Sequence, residues 1–237
     1  MGFSTLALPR QPREKRYHMA LSHTILLETA YLPPVQYLSK WLLHQRIRIE
    51  QHEHYQKGSY RNRCHVAGPN GRLRLSIPLQ QGKNEQQPIR EVRIAYREPW
   101  QRQHWQSIQT AYGNSPFFPY YAGTLRPFFE QPFDSLFDFN TRLLQTCLTL
   151  CGLPDSIEYT THYASFPDTG TLDFRNAIHP KVRQSRPDPY FRAAPYPQVF
   201  QEKNGFLPNL SILDLLFCCG PQTPAVIEAS IVHSKRE

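Results

Sequence analysis

The spacing of apolar residues changes near Pro99, dividing the chain into a strand-rich first part and a helix-rich second. Thr24–Tyr31 (TILLETAY) is a short apolar run closed by Pro33-Pro34 and reads as a strand. Pro34 cannot continue a ladder but suits the first turn of a helix. Val35, Leu38, Trp41 and Leu42 then fall on one side of a helix over Val35–His44. Ile47–Glu50 follows as a second short strand, so strand, helix and strand predict a right-handed βαβ unit. A hairpin is expected next, Arg63–Ala67 and Arg72–Leu79, around Asn70-Gly71, a dipeptide suited to a turn that needs positive φ. Ile89–Ala95 (IREVRIA) alternates and predicts another strand.

Beyond Pro99 the period is helical. Trp100–Tyr112 is amphipathic through Trp105, Ile108 and Tyr112, and Gly113–Pro116 breaks it. Phe117–Glu130 predicts one or two short helices, Phe133–Gly152 a long one ending at Gly152, and Ile157–Ala164 a strand. Phe166–Pro208 is rich in proline and polar residues and reads as a long irregular segment. Leu210–Cys219 closes the pattern as a short apolar helix capped by Asn209 or Ser211. The expected fold class is α/β: a Rossmann-like mixed sheet with a β-hairpin, helical additions and a long irregular C-terminal segment.

Length and composition narrow the rest. The 237 residues, 40% apolar, suit one domain with a substantial core. The expected division is a disordered extension over 1–18, since Met19 reads as a natural start, a single α/β domain over 19–221, and a C-terminal tail over 222–237. The opening residues lack a signal-peptide core and no run reaches the roughly 18 apolar residues of a membrane span, so a cytoplasmic protein is expected. Five cysteines fit reduced thiols, and Cys147 and Cys151 have no second ligand pair nearby, which argues against zinc. A net charge of +8 favours an anionic small molecule such as a nucleotide-sugar or sugar phosphate. Nucleic acid is a lesser expectation, because no zinc finger or RNP motif accompanies the charge. No cofactor is indicated.

Candidate chemistry concentrates at Tyr55–Pro78, YQKGSYRNRCHVAGPNGRLRLSIP. Arg61 and Arg63 are two apart, so in an extended strand they share one face, while Tyr60 and Asn62 share the other. Guanidinium forks on one face grip phosphate or carboxylate; the plainer alternative is an exposed cationic strand. The Tyr31–Pro34 corner lies where a Rossmann-like fold places its ligand crevice, although two prolines remove the N–H donors of a phosphate cradle. His52, His54 and Glu50 can share a strand face as metal ligands, but no third partner type is suggested locally, so a polar strand end is the preferred reading. Cys64 and His65, adjacent in a strand, point to opposite faces and cannot act as a pair. His104 is the best acid–base candidate, on one helix face with Tyr112.

These blocks resemble the WbqC-like family, associated with bacterial surface-polysaccharide (O-antigen) loci. The resemblance rests on YLPPVQYL at Tyr31–Leu38, RIRIEQHEHYQKGSYRNR, NGRLRLSIPL, HWQSIQTAYGNSPFF at His104–Phe118, PFFE, PYPQVF at Pro195–Phe200 and GFLPNLSILDLLFCCGP at Gly205–Pro221. It runs from about Thr24 to Pro221. It implies a transferase of lipopolysaccharide biosynthesis that passes an aminoacyl group, glycine in particular, or an acyl group to an activated sugar. In that reading Lys57 and Arg63 hold an anionic group, Asn62 fixes orientation, Tyr60 stacks or donates a hydrogen bond, and Tyr31 and Tyr112 line the substrate. His104, with Tyr60, is the catalytic candidate. The alternative is a non-catalytic protein that binds nucleotide-sugar, glycan or nucleic acid on the same basic-aromatic surface. A third possibility ties an arginine of the block to a buried carboxylate such as Asp138 or Asp214 and makes the signature a folding device.

Overall fold

The structure is a computed structural model and describes residues 24–80, 86–163, 165 and 168–233. Residues 1–18, expected to be an extension, lie outside the described part. The apolar run TILL forms β1 (Thr24–Glu28), buried at every position, and Arg46–Glu50 forms β2, parallel to it with Glu28 opposite Glu50. A strand covered on both faces has no reason to alternate, which is why β1 reads as a continuous apolar run. Between them α1 (Val35–Leu43) starts after Pro34 and is buried along nearly its whole length.

The hairpin is β3 (Arg63–Gly68) with β4 (Gly71–Ser76), a separate two-stranded antiparallel sheet. Its corner is Pro69-Asn70, one residue earlier than expected: Gly71 carries the positive φ (102°) and pairs with Gly68. The segment Ile89–Ala95 is not a strand. Ile89–Glu91 is a 3-10 turn, and the backbone bonds of the stretch run to separate partners, Ile89 N to Glu53 O and Ile94 N to Asp134 O, so no ladder forms.

Helix α2 (Trp100–Tyr112) matches the predicted span. The aromatic-rich stretch after it gives α3 (Phe118–Leu125) and a 3-10 turn at Arg126–Phe129. Helix α4 (Leu136–Leu150) starts later than Phe133 because Ser135 caps it, its Oγ accepting from Asp138 N at 3.2 Å. Strand β5 (Ile157–Tyr159) is shorter than expected and pairs with β2. The long irregular segment conceals β6 (Thr171–Asp173), which pairs with the free side of β1. It also contains a single helical turn, α5 (Gln201–Asn204), before α6 (Ile212–Cys219), capped by Ser211. Thr223–Ala229 forms α7, which packs on α1 and α6.

The main sheet has the order β5-β2-β1-β6, with every pair parallel. The fold is therefore α/β, with a parallel sheet, a hairpin apart from it and helical additions. Chain direction takes β2 to one side of β1 and β6 to the other. That divergence creates a switch point at the carboxyl ends of β1 and β6, where open α/β sheets hold ligands. No helix among the described residues is long and apolar enough to cross a membrane.

Candidate functional site

Three strands bring a carboxylate to the same edge: Glu28 ends β1, Glu50 ends β2 and Asp173 ends β6. Glu28 and Glu50 are buried, and buried carboxylates need partners or protons. Arg175 supplies one, with Nη1 3.0 Å from Glu50 Oε2 and Nη2 2.7 Å from Asp173 Oδ2. Thr160 Oγ1 and His52 N both donate to the other Glu50 oxygen. Arg61, fully buried, makes a two-pronged bond to Glu53, Nε to Oε1 at 2.7 Å and Nη2 to Oε2 at 2.5 Å. The same Nη2 donates to Asn176 Oδ1 at 2.9 Å, while Nη1 is buried with no partner among the described residues.

Glu28 is the least balanced of these acids. Its Oε2 accepts from Asn176 N at 3.0 Å. Burial lifts its carboxyl to about 7, against the pull of Arg61 and with the nearby charge of Glu53 adding to the rise. Near neutral pH it both accepts and releases a proton, a property suited to general acid–base chemistry.

The YRNR block is built differently from the expected strand. Tyr60–Asn62 lie in turns and β3 begins only at Arg63, so Arg61 and Arg63 do not share a strand face. Gly58, at φ 86°, provides a left-handed residue in the reversal that carries Arg61 back to Glu53, eight residues earlier. Glu53 is thus the carboxylate that holds Arg61, not Asp138 or Asp214. Asp214 instead accepts from Tyr112 and Tyr196 hydroxyls, each at 2.7 Å, and from Gln198 Nε2. Asp138 is exposed on the first turn of α4.

The other sequence candidates fall into three places. Tyr31 and His104 are joined, hydroxyl to Nδ1 at 2.9 Å, and Tyr31 N donates to Tyr60 O. His104 packs against Trp100 and Tyr31, and burial lowers it to about 4, so it is neutral at pH 7. Tyr60 is buried edge-on to His65, its hydroxyl raised to about 12 by burial. Asn62 Nδ2 donates to Ile77 O, closing the base of the hairpin. Tyr112 belongs to another network: it donates to Asp214 and accepts from Ala67 N. Lys57 stands exposed in the turn, and Arg63 is half-buried at the start of β3.

Burial and the charges of Lys181, Arg61 and Arg63 hold the His179 ring below the ordinary histidine range. Sequence reasoning missed Glu28, Glu53, Asn176 and His179. Glu28 was visible as an acid closing a wholly apolar run; Asn176 and His179 lie in the irregular segment, where no period marks them. The described residues contain no cluster of three metal-ligating side chains, and His54 is exposed. Cys64 is buried in β3, and burial pushes its thiol well up, away from the reactive thiolate. A groove of about 350 Å³ lies between the hairpin corner and α2, lined by residues including Ala67, Gly68, Gln103 and Ser107. No titratable side chain is among the residues that line it.

A parallel sheet with buried acids and arginines at its carboxyl edge, flanked by a basic hairpin, defines an α/β protein with its polar centre at the switch point. The model of the WbqC-like protein family matches residues 29–186 and 187–226, and the chain belongs to that family. It is similar to the uncharacterized protein Rv1507c of Mycobacterium tuberculosis, 26% identical over 223 residues, covering 84% of this chain and 94% of that protein. No solved structure matches it.

Proposed function

We propose that the protein is a cytoplasmic transferase of surface-polysaccharide assembly, passing an acyl or aminoacyl group, such as glycine, to a sugar that carries negative charge. The observation behind this reading is Glu28, a carboxyl raised to about 7 by burial at the switch point and within the electrostatic influence of Arg61, whose Nη1 has no partner among the described residues. Glu28 takes the proton of an attacking amine or hydroxyl as the nucleophile adds to the acyl carbonyl, and the donor's leaving group departs with its electron pair. Arg61 Nη1 is the donor that meets developing negative charge. Lys57 and Arg63 keep the role of holding the anionic part of the substrate. Glu28 rather than His104 is the base, because an imidazole lowered to about 4 by burial is a weak base at pH 7. His104 then positions Tyr31, three residues beyond the end of β1.

The test is a thermal-shift screen of nucleotide-sugars, glycine and aminoacyl donors, followed by mass spectrometry of mixtures containing any stabilising pair. Product from the wild type and its loss in Glu28→Gln, with binding retained, is the expected result. Full turnover in Glu28→Gln contradicts the base assignment. Binding across the panel with no product assigns the chain to non-catalytic recognition instead.

A further inference from the structure

The hairpin presents a second, differently balanced set of charges. Its register sets Arg63 opposite Ser76, His65 opposite Arg74 and Ala67 opposite Arg72. Alternation places these side chains on one face, while Cys64, Val66 and Leu75 fill the core on the other. Among the described residues, none of Arg63, Arg72 and Arg74 has a carboxylate partner. Among the described residues Arg72 donates to Pro208 O alone. Arg63 Nε, His65 Nδ1 and Ser76 Oγ are buried with no hydrogen-bond partner, three orphaned groups within two adjacent cross-strand pairs.

Such an arrangement works against the fold. Three guanidinium groups gathered on one small face repel, and buried polar atoms without partners are rare in native structures. The repulsion is legible in His65: burial and the charges of Arg72, Arg63 and Arg74 depress its ring to about 4. Tyr60 stands edge-on to it, and among the described residues no carboxylate pairs with any of the three guanidinium groups. A ligand that brings two negative charges and several acceptor oxygens satisfies every one of these groups together; a single carboxylate does not.

We propose that this face is a phosphate-binding site in which Arg63, His65, Arg74 and Ser76 hold the phosphate or pyrophosphate group of a small ligand. Arg63 and Arg74 supply guanidinium forks, Ser76 a hydroxyl donor and His65 a ring N–H. The site shares Arg63 with the transferase reading, deepens its anion-holding role and does not need Glu28 as a base.

The test titrates inorganic pyrophosphate and phosphate into the ¹⁵N,¹³C-labelled full chain and follows the His65 ring by NMR. Saturable binding is expected, with the His65 titration moving upward by about one pH unit or more as the anion offsets the arginines. Arg74→Ala and Arg63→Ala each weaken pyrophosphate binding by about tenfold or more, the loss of one charge-assisted contact. Arg74 is exposed, so its variant stays folded and remains informative if Arg63→Ala does not. Glu28→Gln binds pyrophosphate as the wild type does, which separates this site from the proposed base. Absence of saturable binding at millimolar pyrophosphate overturns the proposal. So does binding unchanged in both arginine variants, or single-stranded RNA held in a form that pyrophosphate cannot displace.

Discussion

Arg61 and Arg63 are two residues apart, yet they belong to two regions that balance charge in opposite ways. At the carboxyl edge of the sheet, Arg61 meets Glu53 and Arg175 meets Glu50 and Asp173. On the hairpin face, Arg63, Arg72 and Arg74 lie about a histidine whose ring is held neutral at pH 7, with no carboxylate partner among the described residues. Full burial makes pairing obligatory in the first region, because an unpaired interior charge costs more than the fold can lose. Partial exposure lets the second region keep its cations unpaired at a tolerable cost. The contrast teaches that a basic cluster in sequence is two different things in space: a folding device where acids close around it, and a candidate ligand site where they do not.

The comparison breaks most visibly at Arg61. Arg61→Ala leaves Glu53 uncompensated beside Glu28 and is expected to cost about 3–5 kcal/mol by urea unfolding. Arg61→Lys restores little, since an ammonium cannot form the two-pronged bond. Lys40 and Asp188 extend the paired class: both side chains are buried, and together they tie the irregular segment to α1. Asp188→Ala strands Lys40, with an expected loss of about 3 kcal/mol. The double variant Lys40→Met with Asp188→Leu loses less than the sum of the single changes, which a double-mutant cycle reads directly.

Smaller effects appear as pH dependence, and the two regions contribute opposite signs. Glu28 has a raised carboxyl, so its contribution to stability is full below its ordinary value of 4.5 and is lost as pH rises through about 7. Glu28→Gln therefore gains on the wild type across that window in pH-dependent urea unfolding. His65 has a depressed ring, so its contribution is full above its ordinary 6.5 and is lost as pH falls towards about 4. His104 acts in the same direction and window through its burial. His65→Asn removes its part of that acid-side loss and leaves the Glu28 slope intact. The smallest effect on stability belongs to Arg74→Ala, expected within about 0.5 kcal/mol of wild type by urea unfolding, because relief of repulsion offsets lost packing.

These effects also mark where the sequence was readable. The β1–α1–β2 unit, α2 and α6 follow apolar periods long enough to fix both type and position. Strand β6 did not show itself, because Thr171–Asp173 has one apolar residue, Leu172, and that residue is exposed. Ile89–Ala95 misled in the other direction: its apolar residues are buried, but its backbone makes only isolated bridges, to Leu79 on one side and Ser135 on the other. The basic block was legible as chemistry but not as geometry. Its split depends on a chain reversal through Gly58 that returns Arg61 to Glu53, and tertiary pairing of that kind has no periodic signature.

The most direct test compares Arg61→Ala with Arg63→Ala by urea unfolding, each with and without saturating pyrophosphate. Arg61→Ala is expected to lose several kcal/mol whether or not the anion is present. Arg63→Ala is expected to unfold close to wild type in plain buffer and to forfeit most of the stabilisation that pyrophosphate gives the wild type. Equal loss of stability in the two variants, with pyrophosphate acting on neither or on both alike, would contradict the division into paired and unpaired arginines.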